Sequence, residues 1–219
     1  MTPSDAQNAI IKITGDLINI GLSEHQNFPK KKRISTGTSI EFSGFNDISI
    51  ALKNTSYEDI YNTLEESKQY NIKLIDGGLL QFLYLFDRRG KIEKHTLSYF
   101  PSPTFEPFQN DPELYLDDSV FYTDMIQKSI LPIPVRFDYD PDPEAQIDIE
   151  HPATHMTLGQ YKKCRIPVSS PICPSNFAMF ILRSFYNTAV LGEVINFKPQ
   201  SISKTITRNE SGCMHMFVP

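Results

Sequence analysis

His151, His155, Arg136, Arg165 and Asp138 lie in one stretch, Pro132–Val168. It holds Pro-Val-Arg-Phe-Asp-Tyr-Asp, then His-Pro-Ala-Thr-His-Met-Thr-Leu-Gly, then Cys-Arg-Ile-Pro-Val. These residue types suit cleavage of an RNA phosphodiester without a metal. That reaction needs a base for the 2′-hydroxyl proton, an acid for the leaving oxygen and a cation for the charge developing around phosphorus. Histidine titrates near neutrality and can serve either proton role. The planar fork of arginine holds two phosphate oxygens at once. The candidate assignment is His155 and His151 as base and acid, Arg136 and Arg165 as phosphate clamps, and Asp138 or Asp140 orienting an imidazole.

Side chains alternate across a strand. Extended, Val135–Asp140 puts Arg136, Asp138 and Asp140 on one face and Val135, Phe137 and Tyr139 on the other. His155–Leu158 likewise puts His155 and Thr157 opposite Met156 and Leu158. The spacing predicts that Arg136, Asp138, His155 and Arg165 share one solvent-accessible face, with His151 at its rim.

The same residues admit other uses. Asp140, Asp142 and His151 suit turn caps in a proline-rich loop, and Arg136–Asp138 suits a satisfied pair on a sheet face. Asp138, Asp140, His151 and His155 are also acceptable metal ligands, but Pro152 opposes placing both histidines on one helical face. His155-Met156-Thr157 matches half of the paired His-x-Thr of two-histidine phosphoesterases, and no second copy occurs. Cys164 near His155 and Arg165 would be an activated thiolate if exposed. No Gly-x-Ser-x-Gly elbow, phosphate-binding loop or dinucleotide fingerprint occurs, and no cofactor is expected.

The elements that must position these groups mix helices and strands without regular βαβ alternation, which predicts an α+β fold, a single domain over 1–219 with a largely antiparallel sheet. Ser4–Ile20 reads as a helix, with Ser4 and Gln7 as a capping box. Its wide apolar stripe makes residues 1–22 a candidate peripheral or partner-contacting helix. Arg33–Leu52 reads as a hairpin turning at Ser43-Gly44, and Ser56 caps a helix to about Tyr70. Leu79–Phe86 and Lys91–Phe100 alternate around the Asp87–Gly90 turn and predict a central antiparallel hairpin. A short helix is expected near Val120–Lys128, a helix over Ser175–Ala189 and a strand over Ser201–Thr207. The expected core joins Phe82, Tyr84, Phe137, Ile166, Phe177, Ile181 and Phe185.

Composition sets bounds. The net charge of -5 argues against broad electrostatic binding of nucleic acid, although Lys30-Lys31-Lys32-Arg33 is dense enough for a local phosphate patch or a solvated edge. Cys164, Cys173 and Cys213 form no Cys-x-x-Cys pair, so neither a zinc site nor a disulfide framework is expected. No window approaches the roughly 20 apolar residues of a membrane span. Met1–Asp5 lacks the features of a secretory signal, which makes cytoplasmic residence the expectation.

The segments Asp76–Phe82, Tyr99–Pro103, Arg136–Asp140, His151–Gly159, Cys164–Val168 and Phe180–Tyr186 resemble an uncharacterised bacterial family, domain of unknown function 2290. That resemblance implies no reaction. Over Arg136–His155 the chain is also distantly similar to small ribonuclease-like toxins of bacterial toxin–antitoxin pairs. It implies a nuclease-like effector acting on RNA, with Arg136, Asp138, His151 and His155 in its site. The rival expectation is a non-catalytic accessory subunit of a bacterial defence complex, docking a protein partner through the acidic, aromatic Phe105–Tyr115 segment or the first helix. Under either reading a protein partner is expected and no membrane.

Overall fold

Thr2, not Ser4, caps the first helix. In the computed structural model, which describes residues 1–46, 55–104, 133–160, 164–186, 195 and 197–218, α1 spans Pro3–Asn19. The Thr2 hydroxyl accepts from the Asp5 amide at 3.2 Å, and the Asp5 carboxylate accepts from the Thr2 amide at 2.8 Å. Pro3 at the first helical position, where no amide partner is required, favours this start over the Ser4–Gln7 pairing.

Nine antiparallel strands follow among the described residues. They are β1 (Ser23–Gln26), β2 (Pro29–Arg33), β3 (Gly37–Phe42), β4 (Ile72–Leu74), β5 (Leu79–Asp87), β6 (Ile92–Phe100), β7 (Val135–Tyr139), β8 (Thr154–Leu158) and β9 (Arg165–Pro167). The sheet order is β1-β4-β5-β6-β7-β8-β9, and the β2–β3 hairpin joins β5 alongside β4. The central β5–β6 hairpin matches the expectation, pairing Leu79 with Phe100 through to Phe86 with Ile92. Gly90 supplies the left-handed residue of its turn at φ 77°.

The chain turns at Ser43-Gly44 as expected, with the Phe45 amide donating to the Phe42 carbonyl at 3.2 Å. Ahead of it lies an unpredicted hairpin that turns at Ile34–Gly37, where the two residues exchange backbone hydrogen bonds of 3.0 and 3.2 Å. Its first strand is the cationic run Lys30–Arg33. As an edge strand with its side chains in water, it carries no apolar alternation to reveal it. The expected return strand Ile48–Leu52 lies outside the described residues, as do Phe105–Tyr115 and the expected helix at Val120–Lys128.

Helix α2 (Tyr57–Glu66) starts at Ser56 as predicted, and α3 spans Pro174–Phe185. Residues 187–189 of the predicted late helix are not described. Ser201–Thr207 forms no strand. Its Thr205 and Ile206 amides both donate to the Ser169 carbonyl, beyond the proline that ends β9, and the Thr205 and Thr154 hydroxyls pair at 2.7 Å at the start of β8. A single turn, α4 (Arg208–Ser211), follows, capped by Thr207.

One sheet face is the core. Leu80, Phe82, Tyr84, Leu97, Tyr99, Val135, Phe137 and Met156 pack there with Ile10, Ile13 and Leu17 of α1 and Phe177, Ile181 and Leu182 of α3. Helix α1 is thus a layer of the core rather than a peripheral element, while Ile11 and Ile18 on its outer side are each 41% exposed. Of the predicted core, Ile166 and Phe185 are only half-buried at its margin. On the opposite face, α2 covers the Leu79 and Phe100 end through Tyr57, Ile60, Tyr61 and Leu64. The rest of that face, across β6–β9, is polar.

Candidate functional site

Directly paired residues in an antiparallel sheet project to the same side. The register therefore builds two adjacent rows on the polar face. Thr96 of β6, Asp138 of β7 and His155 of β8 form one; Ser98, Arg136, Thr157 and Arg165 of β9 form the other. Apolar alternation drives this arrangement, because burying Val135, Phe137, Tyr139 and Met156 turns the intervening polar residues outward.

Asp138 is the hub of the first row. Its Oδ2 accepts from Arg136 Nε at 2.6 Å and its Oδ1 accepts from the Thr96 hydroxyl at 3.0 Å. The same Oδ2 lies 3.7 Å from His155 Nε2, close enough for charge to be felt but not a hydrogen bond. His155 Nδ1 donates to the Pro152 carbonyl at 2.8 Å. That bond fixes the tautomer and leaves a basic lone pair on Nε2. Burial holds the His155 pKa below the ordinary histidine value; the Pro152 carbonyl and Asp138 oppose this, while His151 and Arg165 reinforce it.

The His151 ring stands edge-on to that of His155, with centroids 5.0 Å apart. Its backbone closes a tight loop in which the His151 amide donates to the Ile147 carbonyl at 2.7 Å and the reverse bond is 3.1 Å. Ile149 inside that loop has φ 69°, an unusual conformation for a β-branched residue. Asp148 fastens the loop to the start of α4 by accepting from the Thr207 hydroxyl and the Asn209 amide.

The structure brings Arg136, Asp138 and His155 together, sets His151 against His155 and places Arg165 diagonally across from His155. Asp140 stands apart, paired with Lys94 at 2.9 Å and capping the Asp142 turn. His155 is not on an accessible edge: it is 3% exposed, enclosed on an interior strand beside the His151 ring. Among the described residues no cluster of histidine, cysteine, aspartate and glutamate is placed to hold a metal ion. Cys164 is half-buried and Cys213 exposed, while Cys173 is buried and accepts from the Gln200 amide.

Thr96 and Ser98 entered the site unannounced. Their alternation with His95 and Leu97 is readable in the sequence, but the adjacency of β6 to β7 is not. His95 lies on the opposite face, buried among Tyr84 and Tyr139. Residues 22–218 match a family model described as an uncharacterised conserved protein. No curated protein and no solved structure matches the chain significantly.

Proposed function

The chain belongs to the DUF2290 family of uncharacterised conserved proteins, and from that premise and the site geometry we propose that it is a nuclease-like effector cleaving RNA phosphodiesters. The observation that carries this reading is the arrangement at His155: one ring nitrogen donates to Pro152, while the other carries a free lone pair beside a carboxylate. Nε2 takes the proton of a ribose 2′-hydroxyl, whose oxygen attacks phosphorus as the bond to the 5′-oxygen breaks. His151 returns a proton to that leaving oxygen. Asp138 stabilises the imidazolium formed at His155, and Arg136 and Arg165 face the phosphorane charge. The products are a 2′,3′-cyclic phosphate and a 5′-hydroxyl end. By analogy with small ribonuclease toxins, such an effector would be the toxic member of a bacterial toxin–antitoxin or defence pair, held by a protein partner.

The test is incubation of the purified protein with single-stranded RNA and identification of the new ends. Cyclic phosphate ends that disappear in His155→Ala support the proposal. Undiminished cleavage by the His151→Ala, His155→Ala double variant, or no cleavage by the wild type, overturns it. The burial of His155 favours a second reading, in which these residues merely stabilise an accessory subunit.

A further inference from the structure

The second polar row contains four groups whose hydrogen-bonding capacity is left over. Ser98 is 1% exposed, yet its hydroxyl oxygen has no hydrogen-bond partner. The Thr157 hydroxyl is buried and equally unpartnered. These two flank Arg136 directly in the strand register, with Arg165 opposite Thr157 on the far side. Arg136 spends its Nε on Asp138, and its terminal nitrogens have no partner among the described residues. Arg165 is half-buried and makes no ion pair among them. Native proteins rarely leave buried hydroxyls unmade, because each costs its full desolvation. Two such hydroxyls alternating with two guanidinium groups supply donors at the spacing of neighbouring strands, about 5 Å. Against Asp138, the arginines leave the patch with a surplus positive charge.

We infer that Ser98, Arg136, Thr157 and Arg165 form an oxyanion cradle for the non-bridging oxygens of a phosphate group. Within the proposed function, on which this inference rests for its substrate, the cradle holds the scissile phosphodiester beside His155 Nε2. Ser98 and Thr157 are positioning residues there, donating hydroxyl protons to the phosphate oxygens, while Arg165 supplies the bidentate contact.

Two probes test it with the full chain. One is inorganic phosphate, followed by the resonances of the site residues. The other is a single-stranded RNA with 2′-O-methyl groups throughout, which binds but cannot be cleaved, followed by fluorescence anisotropy. Ser98→Ala and Thr157→Val are each expected to weaken binding roughly tenfold, the loss of one hydrogen bond to a charged group. Arg165→Gln should weaken it further, and Arg165→Lys should restore part of the loss. His155→Ala should leave both probes bound, which separates the cradle from the chemistry. Circular dichroism and thermal melting check that each variant is folded.

Binding of phosphate alone supports the cradle and overturns its RNA assignment. Binding of both with no RNA cleavage keeps the cradle and defeats the proposed reaction. Cleavage by a wild-type chain whose folded Ser98→Ala, Thr157→Val and Arg165→Gln variants bind as tightly as it does overturns the cradle, because the hydroxyls are then satisfied by buried water.

Discussion

The His95 ring accepts a hydrogen bond from the Ile172 amide at 3.0 Å, although the two residues are 77 positions apart. The Ile172 carbonyl in turn accepts from the Tyr84 hydroxyl at 2.8 Å. Ile172, just before α3, is thus held through both its amide and its carbonyl by the central hairpin.

That grip depends on a neutral imidazole. Burial pushes the His95 pKa down to about 4, with Asp138 the largest opposing influence. A folded-state value depressed below the unfolded one contributes stability that is complete above about pH 6.5 and is lost as pH falls through about 4. The stake is of the order of 3 kcal/mol. Melting temperature measured from pH 7 to pH 4 should fall more steeply for the wild type than for His95→Gln. Parallel slopes would show that the grip is not what acid breaks.

The aromatic centre of the core should be sensitive to truncation. Phe177 is fully buried and meets Phe82 and Phe137 edge-on at 5.4 and 6.0 Å. Phe177→Ala should cost about 3–5 kcal/mol in denaturant unfolding. Phe185 is half-buried against Tyr99, so Phe185→Ala should cost clearly less.

Gly37 and Gly44 separate steric from conformational need. A Cβ at Gly37 would stand 1.9 Å from the Phe86 carbonyl oxygen, so Gly37→Ala must part β3 from β5 and should cost about 3 kcal/mol or more. Gly44 has open space but φ 82°, and Gly44→Ala should cost only about 1 kcal/mol.

Asp76 ends a buried chain. Its carboxylate accepts from the Tyr186 hydroxyl at 2.8 Å and from the Gly78 amide at 3.0 Å, and the Tyr186 and Tyr99 oxygens lie 3.0 Å apart. Burial raises the Asp76 pKa, against the pull of the Gly78 amide and Tyr186. Tyr186→Phe should destabilise by about 1–3 kcal/mol. Denaturant unfolding measures the loss, and one below about 0.5 kcal/mol would show that the Tyr186 hydroxyl adds nothing to the packing of its ring.

If His155 is the general base, its depressed pKa fixes the shape of the activity profile. Cleavage should persist to pH values below the ordinary histidine value of 6.5 before the acidic limb falls. Rate against pH checks this, and an acidic limb at or above that value would assign the base elsewhere.

How much of this was legible depended on where apolar residues alternate. Val135–Tyr139 and Thr154–Leu158 declare their faces because one side of each must be buried, so Arg136 and Asp138 fall beside His155 as read. The Leu79–Phe100 hairpin is equally plain from its two runs and its turn. Strand adjacency is a long-range property, and nothing local told that Thr96 would bond Asp138. Nor could alternation show that His155 is enclosed, since a polar row becomes buried through neighbours far away in the chain. Lys30–Arg33 was missed as a strand because its backbone pairs while all its charges stay in water.

The matched span begins at Leu22, after the end of α1, yet Ile10, Ile13 and Leu17 of that helix are fully enclosed by the sheet and α3. The borders by which relatives are recognised and the borders of what folds therefore differ. A fragment trimmed to the matched span would carry an uncovered hydrophobic trough along β3 and β5, and aggregation in solution would follow from the trimming, whatever the chemistry of the site.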